Sequence, residues 1–135
     1  RPADPRDDYK SWVLSQATLA WTGFARKFRA LWDGPRTGDA YPDALLRDDP
    51  VAFRQAQDRY MAALFADTVG FAAAKMIRRI LGLAHNIDLE WITDPDRRAA
   101  CERRALRLAR HMMVERQAIA SIGDIAEAAA AESTR

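Results

Sequence analysis

The chain has a single cysteine, Cys101, so it cannot form an internal disulfide framework, and its composition fits a reducing compartment. Strand signals are missing too: no run alternates Val, Ile and Thr, and no Asn-Gly pair marks a hairpin. The longest apolar stretch, residues 61–84, is interrupted by Asp67, Lys75, Arg78 and Arg79. Four charges over that length argue for a buried helix of a soluble protein and against a membrane span. The opening Arg1-Pro2-Ala3-Asp4-Pro5-Arg6-Asp7-Asp8 is polar and holds no apolar core of a secretion signal, so a cytoplasmic protein is expected. There is no Gly-rich phosphate loop, no internal repeat, and no low-complexity segment beyond an alanine run near the end. A strong excess of one charge sign is also lacking: the formal charge is +2, which by itself implies no nucleic-acid partner. The first residue is Arg and not Met, and the expectation drawn from it is a piece cut from a longer chain.

What is present is helical pattern. With 135 residues, 49% of them hydrophobic, the chain is long enough for one compact domain with a core. An all-α fold of about four or five helices is expected. Residues 1–8 read as a lead-in, 9–120 as a helical body, and 121–135 as a short alanine-rich helix with a frayed tail. Helix one is expected over residues 7–32, with Tyr9, Val13, Ala17, Ala20, Phe24, Phe28 and Leu31 on one face and Trp12, Trp21 and Trp32 forming a second contact surface. Asp33-Gly34-Pro35 ends it. A loop follows, with a short helical turn near residues 43–47. Asp49-Pro50 starts the next helix, an N-cap followed by proline at the first helical position. Gly70 either separates two helices or lies within a long one. Residues 88–93 form a connection, Asp94-Pro95 opens a helix expected to reach about residue 119, and Ser121 caps the last one.

The segment 70–85 is small or apolar nearly all round, the pattern of a helix buried against several neighbours, yet it holds Lys75, Arg78 and Arg79. No carboxylate stands three or four residues from either arginine. A charge buried there needs a distant partner, because leaving it unpaired costs on the order of several kcal/mol. That partner is either an acidic side chain of another helix or a ligand rich in anionic or hydroxyl oxygens, which the guanidinium fork suits. A third reading is that the arginines lean into solvent.

The ordered words Phe65-Ala66-Asp67-Thr68-Val69-Gly70-Phe71-Ala72, Lys75-Met76-Ile77-Arg78-Arg79-Ile80, Gly82-Leu83-Ala84-His85, Asp94-Pro95-Asp96-Arg97-Arg98-Ala99 and Cys101-Glu102-Arg103-Arg104-Ala105-Leu106 resemble the C-terminal region of the S-methyl-5-thioribose kinases. Helix one, with Trp12, Trp21 and Phe24-Ala25-Arg26-Lys27-Phe28, resembles the same family more loosely. The resemblance implies the C-terminal helical part of a protein-kinase-like C-lobe, of the choline and aminoglycoside kinase type. It implies transfer of the γ-phosphate of ATP, with Mg2+, onto the 1-hydroxyl of 5-methylthioribose in methionine salvage, by a cytoplasmic homodimer without nucleic-acid or membrane partners. It assigns substrate binding to Arg78 and Arg79. By position Lys75 and His85 are further pocket candidates, and His85, near a helix C-terminus and Asp88, reads first as a capping or hydrogen-bonded histidine. The family usually has Gly where Ala73 stands and Val where Asn86 stands, which bears on substrate identity and leaves the arginine pair intact.

A kinase of this fold also needs a lysine-bearing N-lobe, a catalytic aspartate in a His-Gly-Asp context, and a metal-binding Asp-x-Glu motif. Asp88-Leu89-Glu90 has the last of these in letters only; it follows the arginine segment, whereas the family's metal motif precedes this region, so it reads as a loop or capping element. The chain alone is therefore expected to bind little ATP and to catalyse nothing. His111 reads as solvated and Cys101 as a small core residue. The arginines at 97, 98, 103, 104, 107, 110 and 116 interleave with Asp94, Asp96, Glu102 and Glu115, the pattern of a solvated, salt-bridged face. Two alternatives stay open: a stand-alone, non-catalytic helical interaction module, and more remotely an Arg-rich nucleic-acid binder.

Overall fold

The computed structural model describes residues 5–34, 44, 48–83 and 87–133. Among them there are five helices and no strand, as the all-α reading expects: α1 (Pro5–Asp33), α2 (Pro50–Leu81), α3 (Ile87–Glu90), α4 (Pro95–Val114) and α5 (Ile122–Ser133). The turn expected near residues 43–47 lies almost wholly outside the described residues. Two compact units divide the chain, Arg1–Ala62 and Ala63–Arg135, with the division falling inside α2.

In the first unit the second half of α1 packs on the first half of α2 through aromatic rings. Trp32 meets Phe53 edge-on at 6.2 Å and Tyr60 edge-on at 5.0 Å, while Phe28 stacks on Tyr60 at 5.8 Å. Such pairs add about 0.5–1.5 kcal/mol each beyond the area they bury. The expected face of α1 is met in part: Phe28 packs as placed and Trp32 makes contacts, as its second surface expects, but Leu31, placed on the core stripe, is 76% exposed. Residues 8–20 of α1 are exposed throughout.

Phe53, Gln57 and Met61 form the buried stripe of this part of α2, and Gln57 is fully buried. A buried amide is tolerated only when hydrogen-bonded. Gln57 donates from Nε2 to Asp33 Oδ1 at 2.9 Å and accepts from Arg54 Nη1 at 2.9 Å; Arg54 also donates to both Asp33 oxygens. Arg29 pairs with Asp58 at 2.7 Å. Asp49 caps α2, its Oδ1 accepting from the Ala52 N–H at 2.8 Å, with Pro50 at the first helical position.

The second unit is built from the remainder of α2 with α3, α4 and α5. Its core holds Phe65, Ala66, Val69, Ala73, Ala109, Met112 and Ile119. Gly70 neither ends nor splits α2, because the helix runs unbroken to Leu81. The position is buried, and a Cβ there would meet only the flexible Arg116 side chain, at 3.4 Å. By length and composition α2 is also apolar enough to cross a membrane, a property it shares with core helices of soluble proteins.

Asp94 caps α4, accepting from the Asp96 and Arg97 N–H groups at 2.9 and 3.2 Å. The helix stops at Val114, short of the expected residue 119. Glu115 leaves helical geometry there, and the turn that follows buries Ile119. Ser121 and Asp124 then form a reciprocal cap on α5: Asp124 Oδ2 accepts from the Ala120 and Ser121 N–H groups at 2.8 and 3.0 Å, and Ser121 Oγ accepts from the Asp124 N–H at 3.2 Å. The Ala120 N–H, then the Ser121 hydroxyl, lower the Asp124 pKa from its ordinary value, outweighing the opposing effect of desolvation.

Candidate functional site

The last two turns of α2 place the sequence-predicted cations. Lys75, Arg78 and Arg79 are all exposed, and among the described residues none of them has an ion pair. This corrects the expectation of a segment buried nearly all round. Within 70–83 only Gly70 and Ala73 are buried, while Phe71, Leu81 and Leu83 are 75%, 71% and 99% exposed. The argument from a buried charge therefore lapses, and the cations must be judged by their geometry.

Successive helical residues project about 100° apart, whereas residues four apart share a face. Lys75 and Arg79 accordingly line one open groove of about 470 Å³, with Met76 and Ile80 from α2, Asp88 and Leu89 from α3, and Ala105 from α4. Arg78 is not part of its lining. The groove thus has an apolar floor, two cations on one wall and a carboxylate on the other. By sequence Asp88 is a loop or capping element; its place in the groove, on α3, is one that no local spacing reveals. The Asp-x-Glu letters at residues 88–90 were the only available hint. Among the described residues no three His, Cys, Asp or Glu side chains come together as a metal site.

Helix-end electrostatics account for part of this arrangement. Arg78 and Arg79 lie in the last turn of α2, where the negative end of the helix dipole favours cations. Lys75 lies outside that turn, and like charges one turn apart cost about 0.2–0.5 kcal/mol. Just past the helix, the Gly82 N–H donates to the Arg78 carbonyl at 2.9 Å. A Cβ at Gly82 would collide with that same backbone oxygen, so glycine there sets the path of the chain beside the arginines.

The remaining candidates fall elsewhere. His85 and Asn86 lie outside the described residues. Ala73 is fully buried, and Cys101 is half-buried and not a full core residue. His111 is exposed. On α4, Arg98 pairs with Glu102 at 3.1 Å, and Arg107 pairs with Glu132 of α5 at 2.6 Å, the salt-bridged pattern expected, with one partner drawn from a different helix.

No family model matches the chain. Individual proteins do. It is 41% identical over 125 residues to methylthioribose kinase 1 of Oryza sativa subsp. japonica, covering 91% of this chain and 29% of the relative. It is 36% identical over 124 residues to the methylthioribose kinase of an Escherichia coli strain, covering 92% of this chain and 30% of the relative. A Geobacillus thermodenitrificans methylthioribose kinase is 39% identical over 98 residues, covering 71% of this chain and 22% of the relative. The chain thus spans about 30% of the length of the first two of these curated relatives. Over that span, with nine-tenths of its residues matched, it belongs to the methylthioribose kinase family.

Proposed function

We propose that this chain is the substrate-binding, C-terminal helical part of an ATP-dependent kinase that phosphorylates the 1-hydroxyl of 5-methylthioribose, in a cytoplasmic homodimer. The observation that carries this reading is the exposed cationic end of α2 beside an apolar-floored groove, in a chain matched along nine-tenths of its length by proteins named methylthioribose kinase. Arg78 and Arg79 act as donors: they orient sugar hydroxyls and offset charge that grows on the transferring phosphoryl group. Asp88 on the facing wall accepts from a ligand hydroxyl, and Met76, Ile80 and Leu89 suit a methylthio substituent. ATP and Mg2+ are held mainly by parts of the complete protein that this chain does not contain, so the chain alone is inactive.

The test is steady-state kinetics on the complete protein. Replacing both arginines, Arg78→Ala with Arg79→Ala, lowers kcat/KM for methylthioribose by about 100-fold or more, the scale of losing preorganised donors. Folding is unaffected, because both side chains are exposed. Unchanged kinetics in the double variant would sink the assignment, as would turnover by the isolated chain.

A further inference from the structure

The first half of α1 is left uncovered although it carries large rings. Residues 8–20 are exposed throughout, Tyr9 by 66% and Trp12 by 55%, and these two rings stack on each other at 5.9 Å. We propose that this helix pairs antiparallel with the same helix of a second copy, centred on Ala17, so that Asp8 of each copy meets Arg26 of the other. The proposal rests on the homodimer in the reading above and assigns that dimer a surface.

The apolar pattern asks for a neighbour. Tyr9, Val13, Ala20 and Phe24 follow 3- and 4-residue steps and share one face, with Trp12 at its edge. Phe28 and Trp32 set their rings against α2, whereas Tyr9 and Trp12 meet no ring outside α1. A helix gains most of its stability from packing such a face. Gly23 suggests how closely the neighbour approaches. It lies inside α1, where glycine is unfavourable relative to alanine, yet a Cβ there would meet nothing within 4 Å. Packing within the chain therefore gives no reason for glycine at this position. A second copy does. Trp12 and Gly23 are about three helical turns apart and lie at the same edge of the face. About the Ala17 centre, Gly23 of one copy comes opposite Ser11 and Trp12 of the other, and its missing side chain leaves a notch for the indole.

Charge complementarity selects the same alignment. Asp8 and Arg26 are 18 residues apart, about five full turns, so they flank the face on the same side. Both are exposed, and neither has an ion pair among the described residues. A two-fold axis at Ala17 sets each against the other twice, because a symmetric interface makes every contact reciprocal. A parallel pairing would instead set Asp8 on Asp8 and Arg26 on Arg26. Exposed ion pairs contribute little affinity, so the rings supply most of it and the charges fix the direction.

The experiment is sedimentation equilibrium of the complete protein, with the parent expected to be a dimer. Asp8→Arg and Arg26→Asp each weaken the dimer by about 10-fold, since two attractions become two repulsions. An equimolar mixture of the two variants recovers the parent affinity, because the mixed dimer restores both pairs, and so does one chain that carries both substitutions. Gly23→Leu fills the notch and weakens the dimer by about 10-fold or more. Far-UV circular dichroism of every variant matches the parent, as these positions are exposed or face open space. The surface is overturned if both charge variants dimerise like the parent, or if their mixture fails to recover; the face is then covered by another part of the complete protein or by a different partner. A monomeric parent overturns the surface and the homodimer together, while turnover of methylthioribose by that monomer keeps the kinase reading. A dimer with the charge-swap pattern but no methylthioribose turnover supports the surface and defeats the kinase reading.

Discussion

The two ends of α2 treat their polar side chains in opposite ways. Near its start, Gln57 is fully buried and Arg54 is held, and both are bonded to Asp33 of α1. Near its end, Lys75, Arg78 and Arg79 stand exposed with no ion pair among the described residues. Both ends carry cations, Arg54 and Arg59 near the start and Lys75, Arg78 and Arg79 near the end, but only the first also holds a carboxylate, Asp58, and the amides Gln55 and Gln57. What differs is whether the fold itself supplies the carboxylate. Near the start the cation is tied into the packing of α1 on α2; near the end the cations have no ion pair among the described residues. The same contrast separates α4, whose Arg98 and Arg107 are paired, from the groove wall that α4 shares with α2.

The largest effect is expected from breaking the satisfied end. In Asp33→Ala, the buried Gln57 amide and Arg54 lose their shared acceptor, and the stability lost is about 1–3 kcal/mol, the cost of an unsatisfied buried polar group. Chemical denaturation of the complete protein measures it, and a change below about 0.5 kcal/mol would show that the network contributes little. The surface pair itself is part-exposed, so the expected loss rests on Gln57 and not on the ion pair.

The next two substitutions sharpen the contrast within α2 and just beyond it. Gly82→Ala sets a methyl against the Arg78 carbonyl oxygen and displaces the end of the helix, for a loss of about 1 kcal/mol or more. Gly70→Ala meets only the flexible Arg116 side chain and gains helix propensity, so it stabilises by about 0.5–1 kcal/mol. Thermal unfolding of both variants decides the point, and shifts of the same sign would refute the distinction.

The smallest effect is a pH response at α5. Because the folded-state pKa of Asp124 is lowered, its capping contribution is fully present above the unfolded carboxylate pKa and is lost as pH falls through the folded one. The Ala120 and Ser121 amide signals should therefore move together in acid in an NMR titration, and Asp124→Asn should abolish that movement.

Much of this organisation was legible in the sequence because it is local. Asp49-Pro50, Asp94-Pro95 and Ser121 each mark a helix start within a few residues of chain, and each cap is found in place. The cationic end of α2 was legible as a spacing anomaly. Other features depend on residues far apart in the chain. Gln57 reaches its acceptor 24 positions away, and Arg107 finds Glu132 at a separation of 25. Neither pairing leaves a periodic trace. Gly70 was ambiguous because its propensity cost, about 1 kcal/mol against alanine, is small beside the packing of Phe65, Val69 and Ala73 around it. Burial of the segment around Arg78 and Arg79 was overestimated for a related reason, while their lean into solvent was among the open readings: an apolar helix predicts burial only where neighbours exist to cover it.

Asp33 has one more consequence. A carboxylate at the last position of α1 faces the negative end of that helix's dipole, so local preference disfavours it. Gln57 and Arg54 of α2 compensate it, both donating to its carboxylate. Sliding α1 by a single residue would bring Trp32 or Gly34 to this position and take the carboxylate away from the buried amide. Asp33 therefore adds a polar discrimination between alignments of α1 on α2 to that of the ring contacts.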